Sequence, residues 1–332
     1  MSTPLFSIVI PVYCGGDCAE AILDNIISQG LPPSDYEVIF IDDASPDNSA
    51  ALINKAITDH PQCQARMLAR KENGRQGAAR NNGIEIATGQ YVLFLDHDDL
   101  FLTGALKALK EAISNIGEYP DIVTFDYHEA RNGEVTPRLS FGGNSQEMLS
   151  GREYMIKCAI PWTPWEYAYS LEFLRRENLR FEENVRMEDS DFVMRCTLAA
   201  RKITYRPIPV VRHAVYDGQT SSIGNDVVKI EDMFKNSDRV GQIALKQMPI
   251  DRESADVVVA QYRFKRKTCV LRYLWRLRHY DIYRLLKKYP SAPEISDSFN
   301  SFISCHPRLT AIALSAAKPF LLAAWRAKRV IG

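Results

Sequence analysis

Short β-branched runs alternate with helix-length segments over the first part of the chain, the pattern of strands in a mostly parallel sheet flanked by helices. Residues 7–13 read as the first strand and 19–29 as a helix. Residues 37–41 read as the second strand, and a helix over 47–58 follows that Ser45 or Asp47 would cap. A short third strand covers 65–69. A helix of small residues over 77–87 would close on Gly89 in a left-handed C′ position, and 91–95 form a strongly apolar fourth strand. Polarity flips after Asp96. A helix over 103–116 and a strand over 122–127 come next, and the Gly/Asn/Ser-rich stretch 131–150 reads as a hairpin plus loop that marks a soft boundary.

From Gly151 to about Gly224 the chain mixes a helix, the aromatic run "PWTPWEYAYSLEFL", a helix carrying "MEDSDFVMRCTLAA" and a strand "ITYRPIPVVRH". Beyond Asp226 the periodicity is almost wholly helical. The expected organisation is an α/β domain over 1–224, divided into 1–130 and 131–224, followed by a helical extension over 225–332.

Composition adds two constraints. With 46% hydrophobic and 25% charged residues over 332 positions, the chain can bury a large core and is not disordered. Basic and acidic residues number 41 each, so no global charge advertises a nucleic-acid partner, and none is expected. The balance hides an asymmetry: residues 262–288 hold ten Lys and Arg against one acid, Asp281. Val270, Leu271, Leu274, Trp275, Leu277, Tyr280 and Leu285 interleave with those cations at helical spacing, and 309–329, with Trp325, Lys328 and Arg329, is a second such candidate. Helices of this kind lie in the surface of an anionic bilayer, or pack against the catalytic domain or a second copy in a homodimer; both readings stand open.

Seven cysteines without a C-x-x-C pair point to free thiols in a reducing compartment, hence cytoplasm. The first residues lack the basic start of a signal peptide and read as a strand. No uninterrupted apolar run reaches membrane-spanning length; 309–325 comes nearest and Lys318 and Pro319 break it, so membrane contact is expected to be peripheral, on the inner face.

In an open parallel sheet, ligands bind outside the carboxyl ends of the strands. "FIDDASPD" closes the second strand with Asp42 and Asp43, and "FLDHDD" closes the fourth with Asp96, His97, Asp98 and Asp99. Carboxylates gathered at neighbouring strand ends repel, and a divalent cation or a set of donors offsets that cost. One helix cap would use one carboxylate, not three. Hard oxygen donors favour Mg²⁺ or Mn²⁺. A third cluster, Glu188, Asp189 and Asp191 in "MEDSDF", stands at a helix start, where it caps the helix or takes a proton from a hydroxyl. Between the first two clusters, "NGRQGAARNNG" sets Arg75 and Arg80 among small residues, suited to phosphate. G-x-G-x-x-G and Walker A patterns are absent.

As an ordered set, "SIVIPVY", "EVIFIDDASPDNS", "NGRQGAARNNGIEIATGQYVLFLDHDD", "WEYAYSLEFLRRENLRFEENVRMEDSDF" and the strand ending "RH" before "QTSS" resemble family 2 of the glycosyltransferases, with the GT-A fold. The resemblance covers roughly residues 5 to 224. It implies a nucleotide-sugar donor half over 1–130 and an acceptor half over 131–224. It also implies a nucleotide pocket of Pro11, Tyr13, Asp42, Asp43 and Arg75, with Tyr13 stacking on the base. Asp96, His97 and Asp98 stand as the D-x-D motif: Asp98 would hold Mn²⁺ or Mg²⁺, Asp96 the ribose or the metal's water shell, and His213 would close the metal site. Asp189 would be the general base with Glu188 beside it, and Thr220, Ser221 and Ser222 would belong to a loop closing over the donor phosphates. Trp162, Trp165, Tyr167 and Tyr169 offer an acceptor sugar aromatic faces, or are core.

The implied reaction is inverting transfer of a single sugar from a nucleotide-diphospho-sugar, UDP by family precedent, to a glycan or lipid-linked hydroxyl in cell-surface polysaccharide biosynthesis. A Q-x-x-R-W signature of processive synthases is missing. Two other readings are a sugar nucleotidyltransferase, which would need a glycine-rich loop not visible between Pro11 and Ala21, and a non-catalytic nucleotide-sugar-binding scaffold.

Overall fold

The computed structural model describes residues 3–139, 147–158, 163–216, 227–274 and 277–317. The chain divides into two compact units, Met1–Asp217 and Gly218–Gly332. In the first, strands Phe6–Val12 (β1), Tyr36–Asp42 (β2), Ala65–Ala69 (β3) and Tyr91–Phe94 (β4) run parallel in the order β3-β2-β1-β4. Every residue of β1, β2 and β4 is buried, which is why these strands read as unbroken apolar runs rather than alternating ones. Helices Ala19–Ile27 (α1), Ser49–Asp59 (α2) and Arg75–Ile86 (α3) connect them.

Beyond β4 come Leu100–Phe101 (β5), the helix Ala105–Ser114 (α4), and the hairpin Ile122–Arg131 (β6) with Glu134–Arg138 (β7), which turns at Asn132–Gly133. Met148–Leu149 (β8), Gly151–Lys157 (α5), Tyr167–Ser170 (β9), Leu171–Arg176 (α6), Asp189–Ala199 (α7) and Ile203–Val215 (β10) complete the unit. The sheet continues from β4 through β9, β6 and β10 to β5, so the segments on either side of 131–150 share one sheet. β9 is antiparallel to both β4 and β6, whereas β10 runs parallel to β6. Register shifts around Pro209 bend β10, which pairs with β8 at its start and with β5 near its end; a proline cannot donate to a ladder and sits where the ladder breaks.

Three local expectations change. Gly89 is not left-handed. A Cβ there would lie 2.7 Å from the Ser7 nitrogen, so glycine is needed for close approach to β1. At the head of α2 the N-cap is Asn48, with no side-chain cap bond; Asp47 accepts the Ser49 N–H at 3.0 Å. Ser45 instead accepts the Cys14 N–H at 3.0 Å, joining the loops after β1 and β2. Finally, the strands ending in the two acidic clusters are not neighbours, because β1 lies between β2 and β4.

The second unit contains helices Val227–Gln247 (α8), Arg252–Thr268 (α9), His279–Lys288 (α10) and Ser298–Cys305 (α11), a π-helical turn at Cys269–Tyr273, and a helix over 307–317. It has its own core, built on Ile230, Phe234, Cys269, Leu274, Ile282 and Leu286. Of the apolar residues interleaved with the basic stretch, Val270, Leu274, Leu277 and Leu285 are buried there, while Leu271 and Tyr280 stay exposed. Trp275, Trp325, Lys328 and Arg329 lie outside the described residues. Arg266 is buried, donates to Asp238 at 2.8 Å and lies over the Phe234 ring. Among the described residues no helix is long and apolar enough to cross a membrane, and all seven cysteines are free.

Candidate active site

The carboxyl ends of β1, β2 and β4, the head of α3 and the head of α7 carry the site. At the first two, Pro11 is buried and Tyr13 stands 49% exposed just beyond β1. Asp42 and Asp43 are both buried at the end of β2. Asp43 Oδ1 accepts the Gly74 N–H at 3.0 Å and pairs with Arg70, and the Asn73 amide donates to the Asp43 carbonyl at 3.1 Å. Asp43 therefore caps no helix that follows β2; it orders the loop leading into α3, and its bonds use one oxygen. Asp42 accepts the Ser45 N–H at 3.4 Å.

At the end of β4, Asp96, Asp98 and Asp99 bring carboxylate oxygens within 4.8 Å of one another. The backbone turn has His97 packed on Gly15, where an added Cβ would come 2.4 Å from the imidazole Cδ2. Asp99 is fully buried and accepts the His213 Nδ1–H at 2.9 Å and the Ala214 N–H at 2.8 Å. Burial pushes its carboxyl up to about 6, against the pull of His213. The His213 ring stacks on Trp165 with centroids 4.8 Å apart. Burial opposes a charge on that ring, but the bond to Asp99 together with the charges of Asp99, Asp96 and Asp98 outweighs it, and the imidazole pKa rises. With Nδ1 committed to a carboxylate, the ring offers Nε2 to a ligand. Tyr216 donates its hydroxyl to Asp98 at 2.9 Å.

The third cluster joins the second through Arg80. This side chain is fully buried; its Nη1 donates to Glu188 at 3.0 Å and to Asp189 at 2.7 Å, and its Nη2 donates to Asp96 at 2.8 Å. Glu188 takes the N-cap position of α7 but makes no side-chain cap bond, so Glu188 does not cap that helix. Burial pushes the Glu188 carboxyl up to about 8, helped by the charge of Asp189 and opposed by Arg80. Burial also raises Asp189, with Arg80 pulling down and Asp96 pushing up. The Asp189 side chain keeps 31% of its surface open and that of Glu188 only 4%, so of the pair Asp189 faces outward.

Four non-glycine residues in the left-handed region frame the site: Cys14 after β1 (φ 54°), Ala44 after β2 (φ 57°), Arg75 at the head of α3 (φ 66°) and Met187 before α7 (φ 60°). Each costs roughly 1–2 kcal/mol and persists because packed strands and helices fix both of its ends.

The structure thus gathers Asp96, Asp98, Asp189, Glu188 and His213 around Arg80 and Asp99. Arg80, expected beside phosphate, is instead enclosed by three carboxylates. Its place among small residues in α3 was the one visible signal, since a large cation in such a helix has little to cover it except the neighbouring element. Asp99 was legible as part of the acidic run but not as the partner of His213. Tyr167 and Tyr169 are fully buried, so they are core and present no face to a sugar. Trp165 is buried against His213 and Tyr127. Trp162, Thr220, Ser221 and Ser222 lie outside the described residues.

The family model Glycosyl transferase family 2 matches residues 7–181. An uncharacterized glycosyltransferase, EpsJ, of Bacillus subtilis (strain 168) is 30% identical over 207 residues, 60% of this chain and 58% of that protein. The poly(ribitol-phosphate) beta-N-acetylglucosaminyltransferase TarS of Staphylococcus aureus (strain Mu50 / ATCC 700699) is 24% identical over 329 residues, 95% of this chain and 52% of TarS. The chain spans little more than half the length of these curated relatives. The crystal structure of S. aureus TarS 1-349 in complex with UDP-GlcNAc superposes with a TM-score of 0.67 at 17% identity, covering 95% of this chain and 90% of that one. The mannosyltransferase PcManGT from Pyrobaculum calidifontis, in complex with GDP-Man and Mn²⁺, gives 0.52 at 16% identity, covering 96% and 88%. The fold is the GT-A fold expected from the sequence.

Proposed function

Because the chain belongs to glycosyl transferase family 2, we propose that it moves a single sugar from a nucleotide-diphospho-sugar to a hydroxyl of a cell-surface glycan or polyol-phosphate acceptor, with inversion at the anomeric carbon. The observation that carries this reading is the Arg80 bridge, which holds the outward-facing carboxylate of Asp189 beside the acidic end of β4. A base and a diphosphate-holding cluster are the two parts that a direct displacement needs side by side.

In this reading Tyr13 stacks on the nucleobase, and Asp42, Asp43 and Arg75 line the base and ribose pocket with Pro11 and His97. The clustered oxygens of Asp96 and Asp98, with Nε2 of His213, suit a hard divalent cation, Mn²⁺ or Mg²⁺. Bound there, such a cation supplies positive charge to the diphosphate leaving group. Asp189 accepts the proton of the acceptor hydroxyl as its oxygen bonds to the anomeric carbon and the bond to the diphosphate breaks. Arg75 adds charge toward the same leaving group. The donor is proposed to be a UDP-sugar, the class named with the TarS structure, and the phosphate-bearing acceptor is proposed from the name of that same relative.

The test is calorimetric titration of UDP, GDP and dTDP into the purified protein, with Mn²⁺ and with EDTA, beside an Asp98→Ala variant. Metal-dependent binding of UDP that the variant loses is the expected outcome. Binding of none of the three would overturn the donor assignment.

A further inference from the structure

Resting on the donor and base assignment above, we propose that Arg80 is a positioning residue: it fixes the separation between Asp189 and Asp96, and with it the approach of the acceptor hydroxyl to the donor's anomeric carbon. One end of its fork holds Glu188 and Asp189, and the other holds Asp96. These carboxylates come from chain segments 93 residues apart (96 and 189), and the guanidinium is their shared link.

Gathering a buried guanidinium and three carboxyl groups in one largely enclosed cluster is a poor way to stabilise a protein, because desolvation consumes most of the Coulomb gain. The geometry also does not satisfy the arginine for its own sake: Nε is buried and has no hydrogen-bond partner, although an orphaned donor costs about 1–3 kcal/mol. Such a group in a native structure needs an explanation, and here the carboxylates set the guanidinium's orientation.

Arg80 is also kept from moving. Its guanidinium lies 5.3 Å from the Phe181 ring centroid. Asn81 holds the Phe181 backbone on both sides, accepting its N–H at 2.8 Å and donating to its carbonyl at 3.0 Å. One turn earlier, a Cβ on Gly77 would lie 2.4 Å from the Glu182 carbonyl oxygen and 3.1 Å from Glu188 Cγ. α3 is therefore pressed against the segment that leads into Glu188 and Asp189, and Arg80 fills the space between. Its side chain is 1% exposed while that of Asp189 is 31% exposed, so Arg80 stands behind the base and does not touch substrate. A lysine would bring the charge but not the planar fork, and one ammonium cannot hold both ends.

The experiment compares wild type with Arg80→Lys in steady-state transfer, varying donor and metal concentration, with thermal unfolding and UDP binding measured on the same samples. The expected result is a fall in kcat of about 100-fold, the scale of a misplacement of about 1 Å, with the donor KM and UDP affinity within about threefold of wild type. The metal concentration for half-maximal rate should rise, because Asp96 loses its anchor. A kcat within threefold of wild type in a folded variant overturns the proposal, and so does a loss confined to UDP affinity, which would make Arg80 a donor contact. If the lysine variant does not fold, Arg80→Gln, which keeps a donor for one carboxylate, is read in the same way. Wild-type protein that turns over no nucleotide-sugar in this assay would refute the functional reading itself, and is thereby told apart from failure of the Arg80 assignment.

Discussion

Asp189 and Glu188 are adjacent in sequence, share one guanidinium and sit in the same buried corner, yet they differ in access, and that difference divides their roles. Asp189→Asn should lower the transfer rate by about 10²–10⁴-fold while UDP affinity and the melting temperature stay close to wild type, because the amide still accepts from Arg80. Burial raises the Asp189 carboxyl above its ordinary range, so the acid limb of the kcat/KM profile should lie above that of an ordinary aspartate and be absent from the residual activity of the Asn variant. Glu188 gives a stability prediction with the opposite sense from the usual carboxylate. Its folded-state pKa is raised to about 8 from 4.5, so between those values the folded chain holds a proton that the unfolded chain has released. Stability from this group is full at acid pH and is lost as pH rises through that window. Glu188→Gln removes the titrating group, and its melting temperature should gain on wild type as pH goes from 5 to 8; a constant difference across that range would refute the assignment. These two acids were legible because an E-D pair opens an apolar helix. Arg80 was not, since nothing in "GAARNNG" says which side of α3 faces the other acids.

α3 owes its position to glycine. A Cβ at Gly83 would stand 2.2 Å from Val9 Cγ1 in the central strand β1, so Gly83→Ala should force the helix outward and cost about 1–3 kcal/mol, read as a loss of several degrees in thermal unfolding. Transfer activity should fall as well, because a displaced α3 carries Arg80 with it. Element types along this unit were readable from residue 6 to residue 114 except for the two-residue β5: apolar runs too short for helices could only be buried strands, and Ala65–Ala69 was read to the residue. Boundaries moved where tertiary contacts intervene. α3 begins at Arg75, two residues before the small-residue run, because the Gly74 N–H is tied to Asp43. β6 and β10 run past their expected ends because they pair with each other along their whole lengths, a partnership between distant segments that no local pattern records.

At the scale of the whole chain, the family match at 7–181 falls within the first unit, and the second unit has a separate core. Its basic stretch was read as a stripe with an apolar side, and the structure shows one of those cations turned inward. Arg266→Met should leave Asp238 and the Tyr289 carbonyl without their donor and cost on the order of 2–3 kcal/mol. That loss should appear in urea unfolding followed by Trp-independent circular dichroism at 222 nm, the helical band to which this unit contributes. The strand order of the first unit bears on synthesis as well as on catalysis. His213 meets Asp99 only when β10 has docked against β5 and β6, a pairing across more than one hundred positions of chain (Arg212 with Leu100). Closing so long a loop is slow compared with forming the local parallel units, and a ribosome delivers the N-terminal strands well before β10 exists. The half proposed to hold the nucleotide can therefore take shape on a nascent chain while the ring that would complete the proposed cation site is still unmade, so metal affinity should be the last property a refolding molecule acquires.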